Sequence, residues 1–170
     1  EACFSTKEDE YPSTSVCPNG EASHIGDGAG IQCGGSGGTG IDGCQHGTHV
    51  AGIAAGKSAT INGVAEDASI IAVQVFSRFT GTTCTNIGYT SPCALSFTSD
   101  QISALEHVYS LRTTHNIAAV NMSLGGGKYT SNCDTDSRKA AIDNLRSEGI
   151  ATVIASGNSY YTDGISAPAC

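Results

Sequence analysis

At 170 residues, with 39% hydrophobic and 14% charged side chains, the chain is one domain's worth of sequence and long enough to bury a core. Its 22 glycines and absent tryptophan fit a tightly turned globular protein, not a disordered or fibrous one. The net charge of −8 argues against nucleic-acid binding, which needs clustered lysine and arginine, and no stretch approaches membrane-spanning length.

Eight cysteines, at positions 3, 17, 33, 44, 84, 93, 133 and 170, form an even set spread over the whole length. In an otherwise ordinary domain that favours disulfides and an oxidising compartment, so the protein is expected to be secreted. Reduced buried thiols are one rival reading. Zinc held by Cys33, Cys44, His46 and His49 is another, but that spacing matches no usual ligand pattern and no metal or cofactor is expected. Eight cysteines allow about 105 pairings. The shortest closures are Cys3–Cys17, Cys33–Cys44 and Cys84–Cys93, which leaves Cys133–Cys170.

Residues 1–45 are polar, glycine-rich and broken by Pro12 and Pro18, and read as long loops stapled by cysteines, with short strands at most. The run Gly34-Gly35-Ser36-Gly37-Gly38 holds no regular structure unaided, and His24 is expected at the surface. Residues 46–170 read as an α/β core. A small-residue helix is predicted from His46 to Gly56, buried through its Ala and Gly faces. Ala68 to Phe76 is nearly continuously apolar and β-branched, the pattern of a strand buried on both faces. Residues 77–98 form a polar loop too long to be mere connection.

Ser99 and Asp100 can cap a helix carrying Ile102, Leu105, Val108 and Leu111 at helical spacing, with His107 in a structural or surface role. Asn116–Leu124 reads as a second buried strand. A further helix is predicted from Asp134 to Glu148, with Ala140, Ala141, Ile142 and Leu145 inward and Gly149 closing it. Ile150–Ser156 reads as a third buried strand. Strands alternating with helices give an α/β fold, a parallel sheet covered on both faces.

In such sheets ligands bind beyond the carboxyl ends of the strands. Ser123-Leu124-Gly125 and Ser156-Gly157-Asn158 both fall there, so the two stretches are expected to converge on one site. The glycines at 125–127 would let an extended peptide approach the strand end. Asn158 could aim its amide at developing negative charge, or could simply be a turn residue. His46, in a glycine-rich turn opening a helix, is where a rigidly held general base could sit.

Three blocks carry a resemblance: His46-Gly47-Thr48-His49-Val50-Ala51-Gly52, Asn121-Met122-Ser123-Leu124-Gly125, and Ala151-Thr152-Val153-Ile154-Ala155-Ser156-Gly157-Asn158. In this order and spacing they resemble the subtilisin-like serine peptidases over residues 42–170, with Gly63-Val64-Ala65 and the Ala68–Phe76 stretch as a weaker fourth match. The resemblance implies the family's three-layer parallel sheet with helices on both faces, here incomplete. It implies that His46 is the general base, that Asn158 is the oxyanion donor and that His49 packs within its helix. It further implies that Ser123, Leu124 and Gly125 form one wall of the specificity pocket, with Ala155, Ser156 and Gly157 opposite. The substrates would be polypeptides, cut by a monomeric enzyme.

The resemblance also breaks in places. The family's triad runs Asp, His, Ser along the chain. Neither Asp27 nor Asp42 follows an apolar strand or opens an Asp-Thr/Ser-Gly turn, and Asp42 reads as part of the loop into the His46 motif. Gly164-Ile165-Ser166-Ala167-Pro168 imitates the nucleophile motif but lies too soon after Asn158, so Ser166 is expected in a turn. Glu66 stands where the family has proline, and no calcium site is predicted. The expectation is a central piece of a peptidase catalytic domain that is inactive alone. The rivals are a catalytically dead relative that binds peptides, and a disulfide-rich structural module. The sequon Asn121-Met122-Ser123 is discounted because it falls in a predicted buried strand.

Overall fold

The computed structural model describes residues 1–33 and 40–170, so the glycine run at 34–38 lies outside the described residues. The chain forms two compact units, Glu1–Ala104 and Leu105–Cys170.

In the first unit, β1 (Ala2–Phe4), β2 (Ser13–Thr14) and β3 (Ser23–Ile25) are the short strands allowed for the N-terminal region. The helix predicted at His46 is α1 (His46–Ala55), followed by Gly56. Next come β4 (Val73–Gln74), β5 (Ser77–Phe79), the single turn α2 (Thr82–Thr85) and β6 (Cys93–Leu95). Strand β1 pairs antiparallel with β3 and parallel with β4, while β5 is the centre of an antiparallel sheet between β2 and β6.

This unit is stapled more than it is packed. Its buried clusters form around its disulfides. Cys3, Cys17 and Ala29 make one, and Cys33, Cys44 and Ala94 make a second with Val16, Ile41 and Phe76 against it. Phe79 packs on Cys84 and Cys93, with the Phe97 ring 5.2 Å away. The bonds are Cys3–Cys17, Cys33–Cys44 and Cys84–Cys93, and Cys133–Cys170 lies in the second unit. Short disulfide loops make compact structure possible where few large apolar side chains exist to form a core.

Helix α3 (Thr98–Leu111) begins one residue before the expected caps. Asp100 therefore sits inside the first turn, buried, and accepts bonds from the Thr6 N–H at 2.9 Å and the Thr6 Oγ1 hydroxyl at 2.7 Å. Leu105 and Val108 are buried as expected, and Ile102 and Leu111 are half-buried. Burial lowers the pKa of His107 on this helix below the ordinary histidine value.

The second unit holds β7 (Ala119–Met122), β8 (Gly126–Tyr129), α4 (Lys139–Ser147), β9 (Ala151–Ile154) and β10 (Ile165–Ala167). Strands β7 and β9 run parallel, with Ala119 opposite Ala151 and Met122 opposite Ile154. Strands β8 and β10 are antiparallel, with a bulge between Ile165 and Ala167. Helix α4 lies on β9 with Ala141 and Leu145 buried, and Leu145 C=O accepts from the Ile150 N–H at 3.0 Å as the chain turns into β9. Gly149 makes that turn at φ 77°, as expected of a helix-closing glycine.

Helices and strands mix as an α/β fold requires, but several expectations are corrected. Of Ala68–Phe76, only Val73 and Gln74 are in strand β4, which pairs with β1, and Ala68–Ile70 are exposed. Residues 77–98 are not a loop but a hairpin of β5 and β6, joined through α2 and closed by Cys84–Cys93. Strands β7 and β9 are not buried on both faces, since Ala119, Asn121, Ala151 and Val153 are exposed. Helix α4 starts at Lys139 rather than Asp134, and Ala140 faces out. Helix α1 has no buried residue, and Ile53 is 70% exposed. Small side chains give that helix little apolar area to bury. His24 is half-buried in β3 opposite Cys3 rather than at the surface. Among the described residues no helix is long and apolar enough to cross a membrane.

Candidate active site

His46 is the first residue of α1, and the turn before it is tied from several directions. Cys44 is bonded to Cys33. Asp42 donates its N–H to Pro92 C=O at 2.8 Å, and its own carbonyl accepts from Ala94 N–H at 2.8 Å. The Asp42 carboxylate accepts from Thr90 N–H at 2.8 Å, so the group is engaged in holding the loop, as its place before the motif suggested. His46 N–H then bonds Gly43 C=O at 3.2 Å as the helix opens.

At its other end α1 is anchored by backbone pairing, with Val64 N–H to Ile53 C=O at 3.0 Å and Ala65 N–H to Ala54 C=O at 2.8 Å. The Gly63-Val64-Ala65 segment is thus the support of the histidine helix. Both His46 and His49 are exposed. The expectation that His49 packs within its helix is therefore corrected: residues three apart share a helix face, and His46 already faces water.

In the second unit the two stretches expected to wall a pocket leave the carboxyl ends of neighbouring parallel strands. Ala155 N–H donates to Met122 C=O at 3.1 Å, so Ala155 stands beside the start of Ser123-Leu124-Gly125. Ser123 and Leu124 are half-buried, and Ser123 Oγ accepts from Asn121 Nδ2 at 2.9 Å. Gly125, Ala155, Ser156, Gly157 and Asn158 are exposed.

What links the second stretch to the strand that follows the first is a residue that sequence reasoning considered only as a false nucleophile. Ser166 is buried in β10, not in a turn. Its N–H donates to Ser156 C=O at 3.0 Å and its hydroxyl to Gly127 C=O at 3.0 Å. One bond goes to the Ala155–Gly157 stretch and the other to β8, two residues beyond the Ser123–Gly125 stretch. Gly157 lies against Ser166 at φ 108°, where any Cβ would run into Ser166 Oγ, and a Cβ on Gly125 would sit 2.8 Å from Ala167 C=O. Both glycines stand in close contact with β10. No local pattern could have found Ser166, because its partners are ten and 39 residues away.

Beyond Gly157 the chain lines an open cavity of about 390 Å³ with Ser156, Asn158, Tyr160, Tyr161 and Ile165. Lys128 on β8 reaches this loop, with Nζ 2.6 Å from Asp163 Oδ1 and 5.3 Å from the centre of the Tyr161 ring. Among the described residues no group of three or more His, Cys, Asp or Glu side chains is placed to hold a metal ion.

The subtilase family matches residues 39–170. The chain is 34% identical over 134 residues to alkaline protease 1 of Aspergillus flavus, covering 79% of this chain and 28% of that protein. It is 33% identical over 129 residues to subtilisin-like proteinase Mp1 of Magnaporthiopsis poae, covering 76% and 28%. It is 33% identical over 120 residues to the cuticle-degrading serine protease of Orbilia oligospora, covering 71% and 22%. No solved structure matches. The chain thus spans little more than a quarter of the length of the alkaline protease it matches. The match begins within a few residues of the His46 motif and takes in both stretches expected to wall a pocket, and the chain belongs to the subtilase family.

Proposed function

We propose that the protein carrying this chain is a secreted serine endopeptidase, hydrolysing peptide bonds of polypeptide substrates through an acyl-enzyme, with these residues in its catalytic domain. Family membership supports the three-layer parallel sheet for the complete domain, with β7 and β9 as two adjacent strands of it. The observation that carries the reading is the side-by-side exit of β7 and β9, from which Ser123–Gly125 and Ala155–Asn158 emerge as neighbours. Four disulfides support an oxidising compartment.

In this mechanism His46 takes the proton of a serine nucleophile as it attacks the carbonyl, then returns it to the leaving amine. Its place at the first turn of α1, on a loop tied by Cys33–Cys44 and Asp42, fixes the ring's origin before substrate arrives. The substrate backbone lies along Ser123–Gly125, its side chain falling between that stretch and Ala155–Gly157. Asn158 donates its amide to the oxyanion as charge develops there. The hydroxyl of Ser166 is buried and bonded to a carbonyl, so it is not the nucleophile.

The test is expression of the full-length protein, with fluorophosphonate labelling and hydrolysis of an unstructured protein substrate. Labelling and cleavage, both lost in His46→Ala, are expected. A correctly folded full-length protein that binds peptides but neither labels nor cleaves would replace this reading with a peptide-binding one. The 170 residues alone are expected to stay unlabelled.

A further inference from the structure

Helix α1 buries no residue, so core packing does not fix where it lies. Its placement comes from ties at its two ends, and the far end is paired with Val64 and Ala65. At the His46 end the chain turns at Gly43, in the left-handed region at φ 87°, and Cys44 N–H returns to Ile41 C=O at 3.3 Å. One side of this turn is held by the Cys33–Cys44 bond and by the Thr48 hydroxyl, which donates to Gln32 Oε1 at 2.8 Å. The other side rests on the arm between β5 and β6. Asp42 forms a parallel bridge with Cys93 through its backbone bonds to Pro92 and Ala94, and its carboxylate takes the Thr90 N–H, 48 residues ahead, at 2.8 Å. The Tyr89 ring and Ala94 lie just beyond the open face of Gly43, close enough that a Cβ there would touch both. The arm is itself stiff. Cys84–Cys93 closes it, Gly81 N–H donates to Ser91 Oγ at 2.8 Å, and Tyr89 N–H donates to Cys84 C=O at 3.1 Å.

We propose that Asp42 is a positioning residue for His46, docking the turn that carries the histidine onto the disulfide-closed arm. This role rests on the peptidase reading, in which the His46 imidazole must meet a serine hydroxyl within hydrogen-bond reach. Asp42 stands four residues before His46, and His46 N–H bonds Gly43 C=O at 3.2 Å, so a shift of Asp42 moves the first turn of α1 directly. The two backbone bonds of Asp42 fix the turn to the root of the arm at Pro92 and Ala94. Alone they leave an axis about which the turn can pivot. The carboxylate adds a third anchor nearer the tip, at Thr90, and removes that freedom. A carboxylate accepting an N–H makes a stronger bond than a neutral acceptor does. This one lies at the surface, so its loss should barely move overall stability, whereas a displaced general base slows the reaction steeply.

The test compares full-length wild type, Asp42→Ala and Asp42→Asn, each with a fluorophosphonate and with one peptide substrate. Asp42→Ala is expected to lower kcat and the labelling rate together by about tenfold, with KM changed less than about twofold. Its Tm should stay near wild type and its final labelled fraction undiminished. Asp42→Asn keeps an oxygen that can accept the Thr90 N–H and should recover most of the rate. A smaller labelled fraction that still reacts at the wild-type rate, or an Asp42→Ala protein that does not fold, would make Asp42 part of the fold and overturn the proposal. So would an unchanged rate in Asp42→Ala, or an Asp42→Asn variant just as slow. An unlabelled wild type refutes the peptidase reading and this role with it, whereas a labelled wild type matched by Asp42→Ala refutes only the role.

Discussion

Ser166 Oγ donates to the Gly127 carbonyl at 3.0 Å, linking residues 39 apart across the β8–β10 pair. The same residue's N–H holds Ser156, so the exits of β7 and β9 are tied together through β10. Ser166→Ala removes the side-chain bond from a buried position and is expected to cost about 1 kcal/mol. Ser166→Thr keeps the donor and should recover most of it. Urea denaturation of the three proteins measures this, and an alanine variant as stable as wild type would show that the hydroxyl contributes nothing.

Gly157 presses on Ser166 from the other side. Gly157→Ala puts a methyl group onto Ser166 Oγ and demands φ 108° of an L-residue. A loss of roughly 1–3 kcal/mol from the backbone alone is expected, with additional cost from the clash. The double variant with Ser166→Gly should regain the clash part only. If the double variant is no better than Gly157→Ala, the two residues are not in contact.

Asp100 joins the start of α3 to the chain leaving β1 through its two bonds from Thr6. Asp100→Ala leaves the Thr6 N–H without its acceptor and should destabilise the first unit by about 1–3 kcal/mol. Hydrogen exchange at Thr6 reports it directly: a protected amide in wild type should exchange rapidly in the variant.

Arg138 grips Asp136 through Nε at 2.8 Å and Nη2 at 2.6 Å, and its backbone N–H adds a bond at 2.9 Å. The side-chain hydrogen bonds from Arg138 are the main reason that the Asp136 carboxyl titrates below its ordinary value. A depressed folded pKa contributes stability above the unfolded value that is lost as pH falls through the folded one. The stability gap between wild type and Asp136→Asn should hold steady near neutrality and narrow below about pH 4. Urea midpoints across that range decide it, and a gap that stays constant into the acid limb would show that no such linkage exists.

Asn158→Ala in the full-length protein should lower kcat about 10²–10³-fold with little change in KM, or about 2.7–4 kcal/mol, a magnitude that comes from subtilisin itself and not from this structure. A loss confined to KM would make Asn158 a binding residue instead.

Much of this protein was legible in its sequence because the signals are local. The His46 motif, the apolar and glycine patterns of Ala151–Asn158, and the helices at 46–55 and 98–111 are each set by signals only a few residues apart. Disulfide pairing followed the shortest loops, since closing a short loop costs little entropy. Pairing partners were not legible. Nothing local says that β4 joins β1, that residues 77–95 fold as a hairpin, or that one face of β7 and of β9 is exposed. An apolar run records what a strand can bury, whereas burial itself depends on what packs against it. The same holds at the site. Sequence supplied the candidates His46, Asn158 and the two pocket-wall stretches, but tertiary structure alone decided that Ser166 ties Ser156 to Gly127 and that Gly157 must press on it, because these contacts join residues distant along the chain.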